Sequence, residues 1–190
     1  MENTTNLVKK VEVKSNKFTQ KDLVTLILLV VFVVLPIRFF IAQPFIVSGQ
    51  SMDPTFADGQ YLIVDQMSYN FHTPARGDIV IFRYAGDTSK FFIKRVVGLP
   101  GETVKINGNV ISIKKPGEEY SVLKENYIVE VFNANGEWKV DSDEIFVMGD
   151  NRNNSLDSRY FGPIKTNSIT GRAYLRLFPL SEIDYLPGKF

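Results

Sequence analysis

Residues 23–42, LVTLILLVVFVVLPIRFFIA, are interrupted only by the polar Thr25 and Arg38, and no other feature of the chain restricts its folding more. About 20 helical residues rising about 1.5 Å each span roughly 30 Å, the thickness of a bilayer's hydrocarbon core. The run therefore reads as one transmembrane helix over 22–42, with Pro36 kinking or ending it and Arg38 reaching back to the interface. A cleaved leader has a shorter apolar region and a small-residue cleavage site. IAQPF supplies no such site, which favours an uncleaved anchor.

Lys9, Lys10, Lys14, Lys17 and Lys21 precede the run. Basic residues close to a membrane end mark the cytoplasmic side. Residues 1–21 are accordingly expected to be a polar, disordered cytoplasmic tail, and residues 43–190 an extracytoplasmic domain. With 190 residues, 44% of them hydrophobic, the chain suffices for one sizeable core and is short for two. A net charge of +1 with no basic patch argues against nucleic acid as a partner and leaves membrane lipid. The absence of cysteine removes disulfides, thiolate nucleophiles and cysteine-held metals. No metal-ligand cluster stands out, and neither a metal nor another cofactor is expected.

Beyond residue 43 short apolar or alternating runs recur between Gly, Pro and Asn: PFIVS, YLIVDQM, DIVIFRY, FFIKRVV, TVKINGNVISI, YIVEVF, EIFVMG and RAYLRLF. The pattern predicts a mainly β, antiparallel domain, with Asn107-Gly108 as a type I′ hairpin signal and residues 114–126 as a surface excursion.

SGQSMDPT, residues 48–55, places two hydroxyls just beyond the anchor. Asp53 and Pro54 suit a helix N-cap and first helical position, which would leave Ser51 in the tight turn before them. Taken alone, the segment fits a loop with incidental hydroxyls better than a nucleophile. A nucleophilic serine needs a base. The one histidine, His72, lies in a Pro-bearing loop, SYNFHTPARGD, that has none of the surroundings of a triad.

The alternative base is a neutral lysine. At an ordinary pKa near 10.4 only about 4 in 10,000 lysines are neutral at pH 7, a deficit of roughly 4.6 kcal/mol, so the lysine must be buried. In FFIKRVV, residues 91–97, strand alternation puts Phe92, Lys94 and Val96 on one face and Phe91, Ile93, Arg95 and Val97 on the other. Arginine stays charged, which leaves Lys94 as the candidate base. GDNRNNSLDSRYFG, residues 149–162, gathers Asp150, Arg152, Ser155, Asp157, Ser158 and Arg159. It lacks the sixth-position glycine and twelfth-position acid of a calcium loop. Asp157 with Arg159 reads as a structural pair, and Ser155 as a hydroxyl able to orient a neutral amine.

Together the anchor, SGQSMDPTF, RGDIVIF (76–82), KRVVGLPGE (94–102) and GDNRNNSLDSRYFG resemble the bacterial type I signal peptidases, membrane-anchored Ser/Lys proteases. The resemblance covers most of residues 20–180 in order and spacing. It implies Ser51 as nucleophile, Lys94 as general base, Ser155 as the hydroxyl orienting the lysine, and Asp157 with Arg159 as the supporting ion pair. Signal peptides of exported preproteins would be the substrates. Some family members carry a serine two positions before the nucleophile as an oxyanion donor; Gly49 stands there, leaving the Ser51 backbone N–H with Ser48 or a water. Asn153 stands where an acidic residue is common. The short interval from Lys94 to Gly149 suggests the compact, Gram-positive-like form. Residues 45–48 and 91–93, among them Phe45, Ile46, Val47, Phe92 and Ile93, are expected to flank an extended substrate, choosing small side chains by shallow apolar pockets. Two rival classes remain, a noncatalytic module on the same fold and the self-cleaving domain of SOS-response repressors; the latter carries a DNA-binding domain where this chain has its apolar run. RGDIVIF reads as a strand start in which Arg76 and Asp78 serve structure.

Overall fold

The computed structural model describes residues 19–35, 42–128 and 130–188. The chain divides into two compact units, Met1–Pro36 and Ile37–Phe190. In the first, α1 (Gln20–Leu29) starts at Thr19, whose hydroxyl accepts from Asp22 N–H while the Asp22 carboxylate accepts from Thr19 N–H (2.8 Å). This reciprocal cap satisfies two N–H groups that helix geometry leaves unpaired. Five π-helical residues, Val30–Val34, continue the helix. Large apolar side chains from Leu23 to Leu35 are exposed, Phe32 most of all. Among the described residues no helix is long and apolar enough to cross a membrane. Part of the expected anchor, residues 36–41, and most of the expected tail, residues 1–18, lie outside the described residues.

The second unit is mainly β. Its strands are β1 (Ala42–Ile46), β2 (Tyr61–Asp65), β3 (Ile79–Tyr84), β4 (Asp87–Gly98), β5 (Thr103–Gly108), β6 (Val110–Lys114), β7 (Ser121–Val122), β8 (Ala134–Lys139), β9 (Glu144–Met148), β10 (Ile164–Lys165), β11 (Ile169–Phe178) and β12 (Asp184–Tyr185). The unit also carries two one-turn helices, α2 (Ser68–Phe71) and α3 (Ser158–Phe161), and two 3-10 turns, Thr166–Ser168 and Leu180–Glu182. The larger sheet runs β1-β2-β11-β3-β4-β9-β10, with β12 on β11; the smaller runs β7-β6-β5-β8. Every strand pairing among the described residues is antiparallel. The smaller sheet occupies the interval between Lys94 and Gly149, with Val104, Ile106, Ile111 and Ile113 facing a core that includes Phe132 and Phe146.

One irregularity of pairing shapes the site. β4 pairs with β3 from Phe91 to Arg95 but meets β9 only from Arg95 onward. The outer edge of β4 before Arg95 therefore has no strand partner among the described residues, and neither does the outer edge of β1. The Phe45 and Phe91 rings meet edge to face at 5.2 Å, so the curl of the sheet brings these two open edges together.

Three expectations need correction. YIVEVF, of which Val129 lies outside the described residues, forms no strand. Instead Tyr127 lies across the Arg95 guanidinium at 3.9 Å and Phe132 packs near Arg152 at 5.2 Å, contacts with buried cations that take the place of a ladder. The strand found nearby is ANGEWK, β8. The hairpin joining β5 and β6 turns at Gly108-Asn109, since Asn107 pairs with Val110. That register sets Ile106 opposite Ile111 and Val104 opposite Ile113 on the buried face, and Gly108, at φ 62°, takes the first central position. Finally, Asp53-Pro54 starts no helix. The chain must return at once for Gly59 N–H to reach Val47 C=O (2.9 Å), which leaves no length beyond the single turn closed by Phe56 N–H on Met52 C=O (2.9 Å).

Candidate active site

Ser51 lies on the turn between β1 and β2, bracketed by side chains committed to the core, Val47 before it and Met52 after it. Asn151 N–H donates to the Ser51 carbonyl (3.1 Å), tying the turn to the loop after β9. Lys94, in the middle of β4, is 3% exposed. Its Nζ donates to Ser51 Oγ (2.7 Å) and to the Ile93 carbonyl (2.9 Å), and lies 5.3 Å from the centre of the Phe92 ring. Burial pushes its pKa down to about 8, against an opposing pull from the Asp157 and Asp150 carboxylates. At that value roughly a tenth of the lysine is neutral at pH 7, against about 4 in 10,000 for a free one. A neutral amine that keeps its donor on Ile93 C=O presents its lone pair to the Ser51 hydroxyl, the geometry of a base facing a nucleophile.

The pair opens into a cleft of about 230 Å³. Residues of the two segments expected to flank the substrate, Phe45, Ile46, Val47, Ser48, Phe91, Phe92 and Ile93, line it, joined by Leu62, Ile81 and Leu156, which the sequence did not single out. The cleft thus lies where the open edges of β1 and β4 converge. Among the described residues the Ser51 N–H donates to no protein acceptor, and Ser48 is exposed. Gly49 has φ 90°, a backbone region that a side chain disfavours, and its N–H is spoken for by Asp58 Oδ1 (2.7 Å). A hydroxyl side chain at position 49 would strain this turn.

Asp157 and Arg159 pair as expected, at 2.8 Å (Nε to Oδ1) and 2.9 Å (Nη2 to Oδ2), and Asp157 also accepts from Gly149 N–H (3.0 Å). Arg159 further donates to the Arg152 carbonyl (2.7 Å), so the pair closes the 149–159 loop on itself. Ser155 is buried beside the dyad: a side chain on Gly149 would run into both its Oγ and the Ser51 carbonyl. Its Oγ has no hydrogen-bond partner among the described residues, so the contact with the lysine amine that the sequence suggests is not made here. His72 is exposed at the end of α2 and lines no part of the cleft.

What sequence reasoning missed is the layer beneath. Arg95 is fully buried, with Nε and Nη2 on the two Asp150 oxygens (2.8 and 2.6 Å). Thr55 Oγ1 donates to the same carboxylate (2.6 Å). Arg152 forks onto Glu125 (2.8 and 2.5 Å), and its pKa is raised although burial opposes that. Arg76 Nη2 donates to both Glu102 oxygens (2.5 and 2.7 Å) and Asp78 accepts from Tyr69 OH (3.0 Å), so both charges of the RGD triplet serve structure, the one part of this layer that the sequence indicated. Adjacent Lys-Arg on a strand flanked by apolar residues was the available signal for a buried arginine.

A serine hydroxyl against a buried lysine of lowered pKa, beside a cleft that ends in open strand edges, is the equipment of a serine hydrolase acting on an extended chain. The family model described as signal peptidase, peptidase S26, matches residues 20–178. The probable signal peptidase I-1 of Synechocystis sp. is 38% identical over 178 residues, covering 90% of this chain and 88% of its own. Signal peptidase I T of Bacillus subtilis is 37% identical over 190 residues and 96% of each chain, and signal peptidase I of Leptolyngbya laminosa 39% identical over 164 residues, 82% of this chain and 78% of its own. The chain belongs to the signal peptidase family of S26 peptidases.

Proposed function

We propose that this chain is a membrane-anchored serine endopeptidase that removes signal peptides from exported preproteins, with Ser51 as nucleophile and Lys94 as general base. The observation that carries the reading is the 2.7 Å contact between Ser51 Oγ and Lys94 Nζ, with the amine buried. Neutral Lys94 takes the Ser51 proton as Oγ attacks the scissile carbonyl, then returns it to the leaving amine; the acyl-enzyme is released by a water that Lys94 deprotonates. The free Ser51 N–H, with Ser48 or a water beside it, receives the developing oxyanion. An extended substrate adds between the open edges of β1 and β4, its side chains meeting Phe45, Ile46, Val47, Phe92 and Ile93. Asp157 with Arg159 holds the loop that backs the dyad, and Ser155 Oγ, buried and without a partner, supplies a hydroxyl for the amine once substrate arrives. No cofactor takes part in these steps. The noncatalytic alternative is not favoured, since a binding module has no use for a buried lysine against a serine.

Residues 1–21 form the cytoplasmic tail, 22–42 the membrane anchor and 43–190 the extracytoplasmic domain in this reading. The exposed apolar face of α1 and the upstream lysines support it. So does a row of exposed apolar residues in the β unit: Ile46 is paired to Tyr61 and Tyr61 to Phe178, with Leu180, Ile183 and Tyr185 also exposed, a surface suited to lipid. The test is cleavage of a purified preprotein by the detergent-solubilised full chain, with N-terminal sequencing of the product. A mature N-terminus following a small-residue site is the expected result; no cleavage, or cleavage at unrelated bonds, would refute the reading.

A further inference from the structure

A fully buried arginine needs an acceptor for each of its five N–H groups. Arg95 finds two on Asp150, one on Thr55 Oγ1 (3.4 Å), one on the Gly77 carbonyl (3.0 Å), and the last on the Gly188 carbonyl (2.5 Å). Gly188 lies 93 positions from Arg95 along the chain. It is delivered by a return of the chain after β11: β12 pairs back on β11, and Leu186 N–H donates to Tyr174 C=O (2.8 Å). Gly188 has φ 76°, and a Cβ there would stand 2.6 Å from Ile79 Cδ1, 2.7 Å from Thr55 Cγ2 and 3.0 Å from the Arg95 guanidinium. The fit admits glycine alone. The same return segment is tied to the nucleophile turn at two further points, one of them by way of Arg176 on β11. Arg176 donates to the Thr55 carbonyl (2.9 Å) and to the Glu182 carbonyl (2.8 Å), and Gln60 donates to the Glu182 carboxylate (2.8 Å).

Three segments of the site meet at this clamp: the strand next to Lys94 through Arg95, the turn of Ser51 through Thr55, and the loop facing both through Asp150. We infer that the C-terminal return, through Gly188 and through Glu182 on Arg176 of β11, is a positioning element of the active site that sets the distance between Ser51 and Lys94. It touches no substrate and acts through Arg95, Thr55 and Gln60. The inference rests on the reading of Ser51 and Lys94 as the reacting pair.

The experiment compares four variants of the full, detergent-solubilised chain in preprotein cleavage: truncation after Pro187, Gly188→Ala, Thr55→Val and Thr55→Ser, with Ser51→Ala as control and circular dichroism confirming the fold. A misplacement of the dyad should lower kcat about tenfold or more with KM within about twofold, for truncation, Gly188→Ala and Thr55→Val alike, while Thr55→Ser recovers most of the rate. If the truncated chain does not fold, Gly188→Ala and the two Thr55 variants decide the question. Folded variants with unchanged kcat and only a lowered unfolding temperature would overturn the inference and leave the dyad standing, provided Ser51→Ala is inactive. Cleavage by Ser51→Ala at the normal rate would show instead that the reacting pair is misassigned, and the inference would fall with it.

Discussion

Lys94 is caught between two demands, since burial makes it a usable base and burial also makes its protonated form costly. A group whose pKa falls from 10.5 unfolded to about 8 folded binds fewer protons in the native state across that window. Stability should therefore rise with pH between about 8 and 10.5, and below 8 the full penalty of the buried charge is present. Lys94→Met removes it. The stability gap between Lys94→Met and the unsubstituted protein should shrink by up to about 3 kcal/mol as pH is raised from 7 to 10.5 in urea titrations. A gap that does not vary with pH would mean the amine is not depressed. For the same reason kcat/KM should rise with pH through about 8 as the neutral base forms. Ser155 offers a separate check. Its Oγ makes no hydrogen bond in the resting site, so Ser155→Ala should leave thermal stability unchanged or slightly raised. If the hydroxyl engages the amine during turnover, kcat should drop about tenfold, well short of the loss in Ser51→Ala. A loss equal to that of Ser51→Ala would mean a direct role for Ser155.

Among the elements, the loop from Gly149 to Arg159 is closed on itself by the pair of Asp157 and Arg159, both nearly excluded from solvent. Asp157→Ala strands the arginine and frees the Gly149 N–H, so it should lower stability by roughly 3–5 kcal/mol in chemical denaturation; a loss under about 1 kcal/mol would show the loop is held elsewhere. This pair was legible in the sequence because its members lie two positions apart in a charged loop. So was β4, whose alternation around Lys94 follows from strand geometry alone, while the roles proposed for Ser51 and Lys94 come from the family resemblance. β8 was not, because ANGEWK carries Trp138 as its one large apolar residue and its remaining contacts come from pairing with β5. The clamp under the dyad was also hidden. Its members are joined across spans such as the 121 positions from Thr55 to Arg176, and no local pattern encodes contacts of that range.

Over the whole molecule, the exposed apolar helix and the apolar row from Ile46 to Phe178 make the bilayer part of the proposed machinery. A chain lacking residues 1–36 should still cleave short peptides but process membrane-inserted preprotein far more slowly, because anchoring raises local concentration by orders of magnitude. Equal rates on the inserted substrate would remove that role from the anchor. The account as a whole turns on a neutral amine, and Lys94→Arg isolates this property by keeping the charge and giving up the ability to accept a proton. The most direct test is the initial rate of preprotein cleavage by folded, detergent-solubilised Lys94→Arg at pH 8. The account predicts a rate as low as that of Ser51→Ala, with His72→Ala close to the unsubstituted enzyme; substantial turnover by Lys94→Arg, with activity lost in His72→Ala, would contradict it.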